Sequence, residues 1–222
     1  MAIIEFIHVS KIFKRNRDEQ VVLKDINLKI DTGEFVCITG SSGCGKTTML
    51  NLILGIHSCS GGRVLVKDKP VNGVNYDCAA VFQDSLLFGW LTVAQNVEFG
   101  LKMRGIKKEE RKEISLKYLE MVRLQDYKDA FVHELSGGMK QRAALSRALA
   151  TEREILIFDE PFSSLDPQNR EALQLELLKI KKSANKTIVM VTHSNNEALI
   201  LGDRIIKLCP ETGNIREAAR PD

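Results

Sequence analysis

The chain has 222 residues, 44% of them hydrophobic and 27% charged, which fits one compact domain of ordinary soluble composition and excludes a disordered or fibrous chain. Thirty-two Lys and Arg against 29 Asp and Glu leave a net charge of +3, far below the basic excess of a nucleic-acid binder. The apolar runs, of which 155–158 and 188–191 are typical, are too short to span a bilayer, and MAIIEFIHVSK lacks the layout of a signal peptide. Five scattered cysteines without a CxxC pair read as reduced thiols in a cytosolic compartment.

In chain order, a polar loop is expected at 14–20, then a half-buried antiparallel strand in which Ile26, Leu28 and Ile30 alternate with Asn27 and Lys29. A turn at Asp31-Thr32-Gly33 leads into a buried strand at 35–39, and a helix is expected over 48–54. Runs at 63–66 and 79–82 frame a polar connection containing Gly and Pro. From about 85 to 135 strand signals stop. There Ile114, Tyr118, Met121 and Val122 share one helix face in a charged segment, the pattern of a helical insertion within an α/β core. Strand 155–158 resumes the core, and Asp166-Pro167 starts a helix whose buried stripe is Leu173, Leu177 and Ile180. Strand 187–192 follows, then a capping box from Ser194 to Glu197, with Gly202 expected to close that helix in the left-handed conformation. Strands alternating with helices make this an α/β sheet domain.

Gly40, Ser41, Ser42, Gly43, Cys44, Gly45, Lys46 and Thr47 fit G-x-x-x-x-G-K-[ST], between an apolar strand and a helix starting near Thr48, and these residues with Thr48 are the candidate nucleotide-binding segment. Glycines let backbone N–H groups turn inward around phosphate oxygens, and the helix aims its positive dipole end at them. Lys46 has the reach for β- and γ-phosphates, and the Thr47 hydroxyl is a Mg²⁺ ligand. Cys44 is either a small filler in this loop or a redox-sensitive thiol. Asp159-Glu160 ends an apolar strand. Such a pair is either a solvated loop end or a Mg²⁺-supporting Asp followed by a carboxylate that accepts a proton from attacking water.

Leu135-Ser136-Gly137-Gly138-Met139-Lys140-Gln141-Arg142 resembles the LSGGQ signature of ATP-binding cassette (ABC) ATPases, with Met139 where Gln is usual. Physically, Ser136 caps a second helix whose N-terminus is suited to an anion. The order phosphate loop, Gln83, signature, Asp159-Glu160, His193 matches that family along almost the whole chain. The resemblance implies a phosphate-loop NTPase core with an antiparallel β subdomain and an α-helical insertion. It implies a single domain over 1–222, with core about 1–84 and 141–222 and helical subdomain about 85–140. ATP and Mg²⁺ are the implied cofactors. The implied dimer is head-to-tail, with a second copy or a paralogous ATPase subunit, so that Ser136, Gly137 and Gly138 act on the partner's nucleotide. Gln83 would touch Mg²⁺ and the attacking water beside Thr47 and Asp159, Glu160 would be the base, and His193 would contact the γ-phosphate. Asp166, in Ser164-Leu165-Asp166, would couple the two sites while also capping its helix. Phe13 stands where the family places an aromatic that stacks on adenine, and is otherwise a core residue.

Leu86-Leu87-Phe88-Gly89-Trp90-Leu91-Thr92-Val93 resembles the LLPWLTV stretch of nitrate, sulfonate and taurine import ATPases, with Phe88-Gly89 around the position of Pro. It implies transmembrane permease subunits docking near 83–93, a substrate-binding protein acting indirectly, and a place on the cytoplasmic face of the membrane. Two other outputs stay open for such a chain: the ATPase of a lipoprotein-release or mechanotransmission complex, or a soluble ATPase of an assembly system. The 52 positions from Gln83 to Leu135 exclude the long coiled coil of DNA-repair relatives. The roughly 29 residues after His193 are expected to carry no added C-terminal regulatory domain.

Overall fold

The computed structural model describes residues 1–15, 18–209 and 212–218. Strands β3 (Phe35–Thr39), β7 (Ile155–Asp159) and β8 (Thr187–Val191) are buried at every position. They lie in a six-stranded sheet with β6 (Cys78–Val81), β9 (Arg204–Leu208) and β10 (Ile215–Ala218), in the order β10-β9-β3-β8-β7-β6. All pairings are parallel except β10–β9. A parallel sheet is covered on both faces, so its strands are continuously apolar. Successive residues feed two separate cores: Phe35, Leu156, Phe158 and Met190 face one, while Val36, Ile155, Ile157 and Val189 face the other.

The second core is completed by an antiparallel sheet, β2-β1-β4-β5. Strand β1 (Ala2–Arg15) pairs with both β2 (Asp18–Asp31) and β4 (Gly61–Val66), and β5 (Lys69–Pro70) borders β4. Ile26, Leu28 and Ile30 alternate inward as expected. The loop expected at 14–20 is instead mostly strand. Lys14 pairs with Glu19 and Arg15 with Asp18, and a 2.7 Å Lys14–Glu19 ion pair crosses the ladder. Residues 16 and 17 of that expected loop lie outside the described residues.

The first core is covered by helices. α2 (Val93–Met103) starts in a capping box of Thr92 and Gln95, and α3 (Lys108–Met121) buries Tyr118 and Leu119, with Ile114 and Met121 half-buried beside them. α4 (Gly137–Ala150) packs on both and on β6, and it runs unbroken through residue 140. The helix after the phosphate loop, α1 (Lys46–Ile53), lies under the antiparallel sheet. α5 (Pro167–Ala184) starts at an Asp166 cap, the side chain accepting from the Asn169 N–H at 3.0 Å. Among the described residues no helix is long and apolar enough to cross a membrane, and all five cysteines are free.

Two local expectations fail around α6 (Asn195–Leu201). Ser194 accepts from the Glu197 N–H at 3.3 Å, but the box is not reciprocal. The Glu197 carboxylate accepts from the Thr192 hydroxyl at 2.6 Å instead. Gly202 has φ −80° and ψ 133°, so it is not left-handed. Its need is space: a Cβ there would lie 2.8 Å from the Ala198 carbonyl oxygen and 3.1 Å from Cys37 Sγ. Gly202→Ala is therefore expected to destabilise the fold by about 1–3 kcal/mol, read as a lower urea midpoint at unchanged slope.

Candidate functional site

Parallel strands bring their C-terminal ends to one edge, which is where open α/β sheets build their sites. The C-terminal ends of β6, β7, β8 and β3 and the segments that follow them carry Gln83, Asp159-Glu160, His193 and Gly40–Thr47, and these four strands are neighbours in the sheet.

The phosphate loop is shaped by left-handed backbone that favours glycine. Gly40, Gly43 and Gly45 have φ of 152°, 76° and 106°. A Cβ on Gly40 would lie 2.8 Å from the Leu208 carbonyl oxygen, and one on Gly45 would lie 2.8 Å from a Val22 methyl. The N-cap of α1 is Gly45, with no side-chain cap, so the first N–H groups are left to face a ligand. Lys46 is buried, and its ammonium donates to the Gly40 and Ser41 carbonyls at 2.9 and 2.8 Å, which holds it across the loop mouth. Ser41, Ser42, Gly43 and Thr47 are exposed and Thr48 is half-buried. Cys44 is buried in the core beneath, with Sγ against Gly40, which suits a small filler and leaves the thiol little access to an oxidant.

Asp159 is buried, and burial raises its pKa above the ordinary carboxylate value, offset in part by the Thr47 hydroxyl donating to it and by the Lys46 charge. Thr47, Asp159 and an exposed Gln83 offer a hydroxyl, a carboxylate and an amide oxygen. That hard-oxygen set fits Mg²⁺, and a divalent cation would compensate the buried carboxylate. Glu160 has φ 49°, an uncommon backbone state held by its N–H donating to the Val191 carbonyl at 3.0 Å. That conformation brings Glu160 Oε1 to 3.3 Å from His193 Nδ1, a ring that is two-thirds exposed.

The signature lies elsewhere on the surface. Ser136 caps α4 by accepting from the Met139 N–H at 3.3 Å, and Ser136 and Gly137 are exposed. Gly138 packs on the Ser164 carbonyl, so the signature and the Ser164-Leu165-Asp166 turn are neighbours within one chain. Among the described residues no hydrogen bond links Ser136–Gly138 to the phosphate loop. Asp166 is exposed, and the Asn169 side chain and backbone hold its carboxyl below the usual range. Phe13 is half-buried on β1, edge-on to His57 at 5.4 Å between centroids, with the Lys11 ammonium 4.8 Å from its ring.

On either side of Gln83 in the chain, Phe82 and Leu86 help to wall an apolar groove of about 720 Å³, together with Phe88, Phe99 and Met103 among others. Leu86 and Met103 are 58% and 64% exposed, and Trp90 is 75% exposed nearby. Asn96, fully buried, accepts from the Phe88 N–H and donates to the Phe88, Leu91 and Thr92 carbonyls, fixing this segment. Sequence reading missed Asn96, although the Thr-x-x-Gln box just before it signals the helix that carries it.

Residues 23–163 match the family model described as ABC transporter. The chain is 42% identical over 213 residues to the nitrate import ATP-binding protein NrtD of Synechocystis sp., covering 96% of this chain and 80% of that one. It is 40% identical over 205 residues to the taurine import ATP-binding protein TauB of Roseobacter denitrificans, covering 92% and 76%. Its fold is similar, at a TM-score of 0.91 and 34% identity over 99% of both chains, to the ATP-binding cassette MJ0796 solved as a dimer in a post-hydrolysis state with ADP and Pi.

Proposed function

This chain belongs to the ABC transporter family of ATP-binding subunits, which hydrolyse ATP, and we propose that it works as a head-to-tail dimer driving import of a nitrate-, sulfonate- or taurine-like solute through a membrane permease. The observation that carries the import reading is the apolar groove walled by Phe82 and Leu86, which flank Gln83 in the chain. Its exposed Leu86 and Met103 suit a short apolar helix of a permease, and such a helix would press on the segment that carries a catalytic amide. The chain then sits peripherally on the cytoplasmic face of the membrane, and a binding protein and the permease choose the solute.

In this reading the first-turn N–H groups of α1 and the Lys46 ammonium hold the β- and γ-phosphates. Thr47, Asp159 and Gln83 are the residues that would hold Mg²⁺, which when bound would neutralise negative charge on the phosphates. Glu160 accepts a proton from the attacking water, and His193, beside it, contacts the γ-phosphate. The exposed Ser136 and Gly137, with the half-buried Gly138, complete the nucleotide site of the second subunit, Asp166 couples the two sites, and Phe13 stacks on adenine. The segment about 85–140 is the helical part of one cassette spanning 1–222.

The test is reconstitution of the purified chain with candidate permease pairs from the same genome, in vesicles loaded with ATP and given nitrate or taurine. ATP-dependent solute uptake is expected. Leu86→Asp is expected to abolish co-purification with its permease while the ATPase activity of the free subunit changes less than about twofold. No uptake with any candidate permease, together with an unaltered complex for Leu86→Asp, would remove the import reading.

A further inference from the structure

Gln83 is exposed, yet the backbone on both sides of it is held by a single helix. Gln141, 2% exposed on α4, donates from Nε2 to the Phe82 carbonyl at 3.3 Å, one residue before Gln83. Further along α4, Arg147 donates from Nη2 to the Ser85 carbonyl at 3.1 Å and from Nη1 to the Leu86 carbonyl at 2.7 Å. The two donors are six positions apart on the helix, about 9 Å at 1.5 Å per residue, so one rigid element spans the whole Gln83 segment. The same guanidinium lies 5.8 Å from the Phe88 ring centroid and lines the apolar groove.

A guanidinium in an apolar wall is costly, because removing a charge from water is repaid only by good hydrogen bonds. A Met or Leu would fill that wall without the cost. What Arg147 adds is a planar fork that fixes two carbonyls at once, two and three residues after Gln83. Gln141 is a parallel case, a buried amide whose donor goes to the carbonyl just before Gln83. Ser136 caps the start of α4, so the clamp ties the signature end, the groove and Gln83 to one body.

We propose that Gln141 and Arg147 are positioning residues that hold Gln83 at the reacting end of the nucleotide site, so that displacement of α4, whether started at the signature or in the groove, moves Gln83 with it. This rests on the role of Gln83 given above. The clamp acts on the chemical step and leaves the phosphate loop untouched.

The experiment is steady-state ATP hydrolysis by the full chain carrying Arg147→Met, Arg147→Lys, Gln141→Leu, Gln83→Ala, and Arg147→Met combined with Gln83→Ala. Arg147→Met and Gln141→Leu are each expected to lower kcat about tenfold with the KM for ATP within about twofold. Arg147→Lys, which keeps a donor, is expected to recover part of the loss. The combined variant is expected to be no slower than Gln83→Ala alone, because a residue acting through Gln83 has nothing left to position. Independent losses that multiply in the combined variant, or a loss carried by KM, would overturn the proposal. If Arg147→Met does not fold, Gln141→Leu alone and combined with Gln83→Ala decides by the same comparison. Full turnover in Gln83→Ala would remove the role of Gln83 itself. A slow Gln83→Ala beside unaltered Gln141→Leu and Arg147→Met would remove only the clamp.

Discussion

Glu160→Gln is expected to bind ATP as the parent does and to hydrolyse it at least a hundredfold more slowly, the lower end of what general-base catalysis contributes. The substitution is nearly isosteric. It keeps the side chain at the end of β7, beneath the backbone bond from the Glu160 N–H to the Val191 carbonyl, and removes only the capacity to take a proton. His193 does not replace it, since its Nδ1 lies 3.3 Å from the Glu160 carboxylate rather than in its place, on a ring that is two-thirds exposed. Because the groups proposed to hold phosphate are unchanged, ATP-bound chains are expected to accumulate as dimers in gel filtration, and to fall back to monomers when ATP is replaced by ADP. Equilibrium binding of a fluorescent ATP analogue and phosphate release in single turnovers separate the two effects. Near-normal turnover would take the base assignment away from Glu160.

The parts of this site that were legible in the sequence are local. Gly40–Thr47 is a contiguous pattern whose glycines do adopt left-handed backbone, and Asp159 and His193 follow apolar runs that become buried parallel strands. What escaped depended on distance or on broken periodicity. Strand β1 was not anticipated because its register shifts between Ala2 and Ile4 and again between Phe6, Val9, Lys11 and Ile12, with His8 at φ 49°, so the alternation a strand should show is interrupted. α2 buries Val93, Val97 and Leu101 at a four-residue spacing, but they follow a run of apolar residues that masks the helix face. Gln141 and Arg147 have backbone carbonyls about 60 residues away as partners, and no side-chain pattern encodes a carbonyl. Gly202 was misread because a glycine after a helix signals a left-handed cap, whereas here the close approach of Ala198 and Cys37 requires it.

The second large effect is expected at Lys46. Lys46→Met should weaken ATP binding at least a hundredfold, because two charge-assisted hydrogen bonds to phosphate, at about 1.5–3 kcal/mol each, are lost together. Stability is expected to change much less. The Met side chain refills the buried methylene path, and the Gly40 and Ser41 carbonyls that lose the ammonium lie beside the exposed Ser41 and Ser42, where water replaces the donor. Two melting curves therefore separate binding from folding: without nucleotide the midpoint should move little, while the rise that saturating ATP gives the parent should vanish, since a ligand stabilises only what it binds. Lys46→Arg is not expected to rescue. The ammonium is a compact point charge seated on two carbonyls of the same loop, and a planar guanidinium is too broad for that seat beneath the glycine turn. If Lys46→Met kept the ATP-dependent rise in melting midpoint, the phosphates would be held by the helix N-terminus and glycine N–H groups alone, and the lysine would serve only to brace the loop.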